Sequence, residues 1–294
     1  MRVGAVVQRC LRAMALLVAV ALVLVATGAV AVEGLVRTGL YRTGYGADGL
    51  LIVLAIGSDI GPPQRPGNPA AGRADGIHLF VVDPATSRMT VVDVPRDSAI
   101  GGTKVNAHLA FGGPERLEAA LEAWSGLDID YYVMGSFQSV QAVTTSLGGI
   151  VVNVPQRMAD PFSGTDLQPG PQTLGPDQTL AFARDRKSLP DGDIGRSRNQ
   201  TVLMLSALQQ TRAASRTNLT YIANVVATLR QHTLSNIPAG EMVTLAYVAL
   251  RLEPQNIEQV TLSGPFGFIG DQSVIYPQPG DLFPRLMAGQ VGPQ

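Results

Sequence analysis

The stretch from Leu50 to Asp59, LLIVLAIGSD, decides how the rest of the chain is read. An unbroken apolar run from Leu50 to Ile56 stops at Gly57-Ser58-Asp59, the pattern of a strand covered on both faces that opens into a loop. Gly61 to Gly72 is dense in Pro, Gly and Asn and reads as that loop. Beyond it, the β-branched runs Gly76–Val82 and Met89–Val94 are separated by Asp83-Pro84-Ala85-Thr86-Ser87 and predict a hairpin. Helical and strand patterns then alternate. Pro114–Trp124 predicts a helix with proline in its first turn, Ile129–Met134 a strand, and Phe137–Leu147 a helix stopped by Gly148-Gly149 before the strand Ile150–Val154. Pro176–Arg186 and Ile194–Thr211 read as helices on either side of the polar link Lys187–Asp193, and Asn218–Gln231 and Ala239–Leu250 as two more. Val260–Ser263 and Ser273–Tyr276 read as short closing strands. This interleaving predicts an α/β fold: one domain over residues 50–290, with a central β-sheet covered by helices. Its core is residues 50–211, and residues 212–290 close it, because the later helices are too apolar to stand alone.

Upstream, Ala13 to Val32 is an apolar run of about 20 residues, enough to span a bilayer. Arg2, Arg9 and Arg12 precede it, so the positive-inside rule makes residues 1–12 a cytoplasmic tail and 13–32 a transmembrane anchor. Residues 33–49 are then a juxtamembrane connector, and the domain is held outside the cell membrane by a single pass. A cleaved signal peptide is the competing reading, since Ala29-Val30-Ala31 has the form of a cleavage site. The working part is extracytoplasmic in either case.

Composition removes several function classes. The 294 residues are 46% hydrophobic and carry a formal net charge of −1, so a broad basic surface for nucleic acid is excluded. One cysteine, Cys10, rules out a disulfide framework and cysteine-rich metal sites. His78, His108 and His232 are too scattered for a histidine-built zinc site and read as packing residues, as do Trp124, Tyr131 and Tyr132, for which lipid contact is the alternative. Lysine occurs only at Lys104 and Lys187, with arginine supplying every other basic side chain.

The polar residues that stand out lie at the ends of apolar runs. Asp59 follows one strand, Asp75 precedes the next, and Pro95-Arg96-Asp97 follows the third, where α/β sheets carry their ligands. Two converging carboxylates suit a divalent cation completed by water and phosphate oxygens, although aspartates at strand ends also serve as caps. A second cluster comprises Arg184, Arg186, Arg196, Arg198 and Gln200. Helix pitch puts Arg196 and Gln200 on one face near a helix start, a natural anion site; the alternative is a solvated face paired with Asp185, Asp191 and Asp193.

Eight segments in order bear a resemblance. They are LAIGSD (54–59), RADGIHLFVVDP (73–84), VDVPRD (92–97), KVNAHLAFGG (104–113), IDYYV (129–133), LGGIVVNVP (147–155), LGPDQTLAFARDR (174–186) and DIGRSRNQ (193–200). Together they resemble the LytR-CpsA-Psr family of bacterial cell-wall glycopolymer ligases. The resemblance implies a membrane-anchored extracytoplasmic phosphotransferase. Its donor is a glycopolymer on a polyprenyl-pyrophosphate carrier, its acceptor peptidoglycan, and its product a phosphodiester. It further implies Mg²⁺ (or Mn²⁺) on Asp59 and Asp75. Arg73, Arg96, Lys104, Arg184, Arg186, Arg196, Arg198 and Gln200 become pyrophosphate and head-group contacts. Arg96, Arg184, Arg186 and Arg196 carry the catalysis, and Asp97 is the nearest candidate base, although its turn suits a structural acceptor. The chain departs from the family pattern at Ile60, Ala74, Thr145 and Asn199, with Arg65 and Arg198 as substitute cations, and its loop from Arg96 to Lys104 is short. A hydrolase using the same groups with water, and a non-catalytic binder of polyprenyl lipids, are the two other classes the sequence supports.

Overall fold

The computed structural model describes residues 45, 49–59, 72–215, 219–238 and 241–294. The tail 1–12, the anchor Ala13–Val32, all of the connector except Tyr45 and Gly49, and the positions Ile60 and Arg65 lie outside the described residues. Among the described residues no helix is long and apolar enough to cross a membrane.

The chain enters the fold as the meander β1 (Leu51–Ser58), β2 (Ala74–Asp83) and β3 (Arg88–Asp93). A two-residue pair, β4 (Ala99–Ile100) and β5 (Thr103–Lys104), leads into α1 (Val105–Ser125). Then follow β6 (Tyr131–Gly135), α2 (Phe137–Ser146) and β7 (Ile150–Val154). Three short strands, β8 (Met158–Asp160), β9 (Thr165–Leu167) and β10 (Gly170–Leu174), precede α3 (Pro176–Arg184) and α4 (Asp193–Ser215). The remainder comprises α5 (Leu219–His232), β11 (Leu234–Ser235), α6 (Glu241–Arg251), β12 (Ile257–Thr261), the hairpin β13 (Phe266–Ile269) and β14 (Gln272–Ile275), and α7 (Leu282–Met287).

Six strands form the central sheet in the order β11-β6-β1-β2-β3-β12. β1, β2 and β3 are mutually antiparallel, while β6 lies parallel to β1 and β12 parallel to β3. β1 is apolar throughout because both faces are covered. Ile52, Leu54 and Ile56 pack on one side with Leu109, Leu117 and Leu121 of α1 and with α7. Leu51 and Val53 pack on the other with Leu205 and Leu208 of α4, Val248 of α6, and Tyr45 from the connector. Full burial of each such side chain stabilises the fold by about 1.5–3 kcal/mol. A second core joins β7, β8, β9 and β10 to α3, α4 and α5, centred on Phe182, Met158 and Val152. The α/β sheet covered by helices is therefore present, and it is mixed rather than purely parallel.

Two differences from the sequence reading have physical causes. Helix formation starts at Val105 rather than Pro114, but α1 is broken inside by Gly112 and Gly113. Gly113 sits at φ 78°, a left-handed conformation suited to glycine, and Pro114 restarts the helix as an ordinary first-turn proline. At the other end, Val291 is 2% exposed and joins the main core, so packing continues past residue 290. Trp124 packs edge-on to Phe283 with ring centroids 5.0 Å apart, and buried Tyr132 donates to Glu115 at 2.8 Å, in keeping with packing roles.

Candidate active site

Register brings the site residues to one end of the sheet. Ser58 pairs with Ala74, with a register shift between Gly57 and Ser58, so Asp59 and Asp75 end adjacent strands. Arg96 follows β3 at the same end. The first turns of α4 cross above, anchored through Gln200. Its amide nitrogen donates to the Ala183 carbonyl at 3.0 Å, and its oxygen lies 3.2 Å from His78 Nε2. A Cβ at Gly76 would stand 2.9 Å from that Gln200 oxygen, so a side chain there would displace the Gln200 amide.

The charged groups form one network. Arg96 donates to Asp75 at 2.5 Å, and Arg196 reaches the Asp75 carbonyl at 3.5 Å. Asp193 lies 3.3 Å from Arg196, 3.5 Å from Arg186 and 3.8 Å from Arg96. Burial works against ionisation of Asp193, but Arg196, a hydrogen bond shared with Asp97, Arg96 and Arg186 outweigh it and hold the carboxyl below its usual range. Arg196 is only 6% exposed. Burial pulls its guanidinium below the ordinary arginine range, with Asp193 opposing and Arg96 adding to the fall. Arg96 moves the other way: burial is outweighed by the hydrogen bond and charge of Asp75 and by the charges of Asp193 and Asp97. The Nε atoms of Arg96 and Arg196 are buried with no hydrogen-bond partner among the described residues. Unsatisfied buried donors are costly, and two of them on converging arginines suit an anionic ligand.

These arginines line one end of a cavity of about 660 Å³. Asp75, Arg96, Arg184, Arg186, Arg196 and Gln200 stand at that end, while Val140, Val143, Leu203, Met204 and Ala207 line its apolar part. Arg184 lies over the ring of Phe137, 4.8 Å from the centroid, where α2 begins. The cavity is thus amphiphilic: cations on one side and hydrocarbon between α2 and α4 on the other.

The other sequence-derived candidates stand outside that lining. Exposed Asp59 accepts from the backbone N–H of Arg73 at 2.8 Å. Lys104 donates to Asp97 at 3.0 Å, so this aspartate holds the Lys104 segment as a structural acceptor. Arg198 forms an outward pair with Asp191 at 2.8 Å. The alternative of a salt-bridged face thus describes Arg198, whereas Arg96, Arg186 and Arg196 converge. Half-buried Asp193 is the residue whose importance the sequence hides, because an aspartate among arginines looks like a surface partner. His78 is buried as expected, but it is also polar-bonded, with Nδ1 2.9 Å from Asp93 and 3.1 Å from the Thr201 hydroxyl.

The residues present fit a hard divalent cation in part. Asp75 faces the cavity and Asp59 lies at the adjoining strand end, which is carboxylate chemistry suited to Mg²⁺. Among the described residues no group of three or more His, Cys, Asp or Glu side chains could hold a metal. Any cation here would therefore need phosphate oxygens and water to complete its shell.

A model of the LytR_cpsA_psr family matches residues 40–280. TagV of Bacillus subtilis strain 168, a polyisoprenyl-teichoic acid–peptidoglycan teichoic acid transferase, is 25% identical over 221 residues, 71% of this chain and 56% of that protein. TagU of the same organism, which bears the same activity name, is 30% identical over 196 residues, 65% of this chain and 61% of that one. The chain therefore spans little more than half the length of these relatives. The crystal structure of B. subtilis TagV superposes with a TM-score of 0.67 at 22% identity, covering 82% of this chain and 95% of that one. TagT bound to LI-WTA gives 0.64 at 18% identity, covering 84% and 92%. These likenesses establish the fold.

Proposed function

The chain belongs to the LytR_cpsA_psr family, and from that premise we propose that it is a phosphotransferase moving a glycopolymer from a polyprenyl-diphosphate carrier onto peptidoglycan. The observation that carries the reading is the amphiphilic cavity. Its cationic end suits a diphosphate and its apolar end an isoprenoid chain, so both halves of one lipid are accommodated at once. The transferase names of TagV and TagU, and a neighbour solved with LI-WTA, support the same reaction class.

In this reading the acceptor hydroxyl attacks the phosphorus that carries the glycan and gives up its proton to water, the P–O bond to the lipid phosphate breaks, and polyprenyl phosphate leaves with the electron pair. Arg96, Arg184, Arg186 and Arg196 hold the diphosphate oxygens and neutralise charge as the bond breaks, which is most of what phosphoryl transfer requires. Asp193 fixes the arginines, and Gln200 fixes α4 over them. Arg73, Lys104 and Arg198 stand farther out and serve the head group rather than the reacting phosphorus. Asp59 and Asp75 are the residues that would hold Mg²⁺ or Mn²⁺. Such an ion, when bound, supplies Lewis-acid polarisation of a phosphate oxygen. The arginine-flanked run Ala13–Val32 supports a single-pass membrane anchor with the domain outside the cell.

The test is to supply lipid-linked glycan with and without peptidoglycan. A phosphodiester-linked product that needs peptidoglycan is the expected result. Release of lipid phosphate in its absence at the same rate would make the protein a hydrolase instead.

A further inference from the structure

The cavity holds a second cation seated on an aromatic ring. Lys187 Nζ lies 3.2 Å from the centroid of Phe162, and both residues line the cavity beside Arg184 and Arg186. No carboxylate lies within ion-pair distance of Lys187 among the described residues, unlike Lys104 and Arg186. Phe162 is 76% exposed, so it contributes nothing to the core. It stands in the turn between β8 and β9. That turn is held firmly. The carboxylate of Asp160, a residue 3% exposed, accepts the backbone N–H of Phe162 at 2.9 Å and also those of Arg186 and Lys187. The Ser188 hydroxyl accepts from the Ala159 N–H at 2.7 Å, and Gln156 donates to the Ser188 carbonyl at 2.6 Å. One buried carboxylate therefore ties the exposed ring to the segment carrying Arg186 and Lys187.

From this arrangement we propose that Phe162 and Lys187 form a saccharide-phosphate subsite for the first sugar of the donor. A pyranose presents an apolar face of C–H groups that stacks on a phenyl ring, and its linking phosphate meets the ammonium. The ring is largely exposed, and it and the lysine line the same cavity as the arginines. A fixed aromatic surface beside a cation that no carboxylate contacts directly recognises this combination, where an aliphatic wall would recognise only lipid. The proposal rests on the lipid-diphosphate reading above and adds the part of the ligand that selects among donors.

Two ligands separate the two ideas: a polyprenyl diphosphate without sugar, and one bearing a single hexosamine, each titrated against the full chain in detergent. Phe162→Ala is expected to weaken the sugar-bearing lipid about tenfold and leave the sugar-free one unchanged, the size of one partly desolvated aromatic contact. Lys187→Gln is expected to weaken both. Phe268→Ala, a phenylalanine 69% exposed and away from the cavity lining, is expected to change neither. Equal losses of both lipids in Phe162→Ala, or a matching loss in Phe268→Ala, would overturn the subsite and indicate general apolar adhesion. If the wild-type protein binds the sugar-free lipid and gains nothing from the sugar, the subsite is wrong and the diphosphate reading stands. If it binds neither, both fall.

Discussion

Arg96 and Asp75 meet at 2.5 Å across the end of the sheet, one from the loop after β3 and the other from the start of β2. The pair is partly exposed, with side chains 23% and 24% accessible, and both groups face the cavity. An ion pair in such a position adds little to stability, about 0–1 kcal/mol. Its placement therefore points to ligand binding. Substituting Asp75→Ala should abolish transfer while moving the unfolding midpoint only slightly, checked by product formation and calorimetry on one preparation. Retained transfer would remove Asp75 from the reacting centre.

Arg196 differs because it is buried. Arg196→Ala leaves Asp193 without its nearest cation, so stability should fall together with lipid-diphosphate affinity, the latter by about 1.5–3 kcal/mol for a lost charge-assisted bond. Arg196→Lys should recover much of the stability but not the affinity, because a point charge lacks the two-pronged geometry of a guanidinium. Isothermal titration beside a denaturant series separates the two effects. Full recovery of binding in the lysine variant would show that charge alone suffices.

The apolar end of the cavity makes a separate demand. Ala207 lines it, and a bulkier side chain there should fill space needed by an isoprenoid chain. Ala207→Trp is expected to discriminate by chain length: long polyprenyl diphosphates lose affinity, while a diphosphate carrying two or three isoprene units does not. Loss of both would indicate a collapsed fold, which a melting curve detects.

Far from the cavity, Glu118 on α1 has its carboxyl pushed up to about 7, by burial first and then by Glu122, Glu115 and Asp128. Its folded value exceeds the unfolded value of about 4.3. The folded state therefore binds the proton more tightly, and stability is lost as pH rises from about 4 to 7 and stays lost above. Glu118→Gln should raise the melting temperature at pH 8 and make little difference at pH 4. A variant that melts lower than wild type at pH 8 would contradict the assignment.

How far the sequence discloses this architecture depends on the range of the interaction. β1 is legible because a strand covered on both faces must be apolar along its whole length, and that pattern is local. The short strands between Met158 and Leu174 escape notice because polar residues alternate through them and the second core beneath them assembles only in three dimensions. Arg96, Arg184, Arg186 and Arg196 are readable as candidates from residue type and placement. That Arg198 points away to Asp191, while Arg196 turns inward, follows from helix orientation that spacing alone does not set. Phe162 carries no local signal at all: a lone phenylalanine in a turn reads as loop until the buried Asp160 is seen to hold it.

The cations in the cavity that have carboxylate partners give the site the character of an ion exchanger. Arg96 is held by Asp75, and Asp193 is shared by Arg186, Arg196 and Arg96. On the proposed reading, an incoming diphosphate would not simply add to free positive charge; it would displace carboxylates. A singly charged anion gains little from such a swap, whereas a diphosphate can replace several contacts at once, so valence itself becomes a criterion of selection. Each displaced carboxylate, Asp75 among them, would then be free for a cation. By thermodynamic reciprocity, lipid diphosphate should tighten divalent-cation binding by the same factor that the cation tightens lipid binding. The empty site would then hold neither strongly, and occupancy by one would recruit the other.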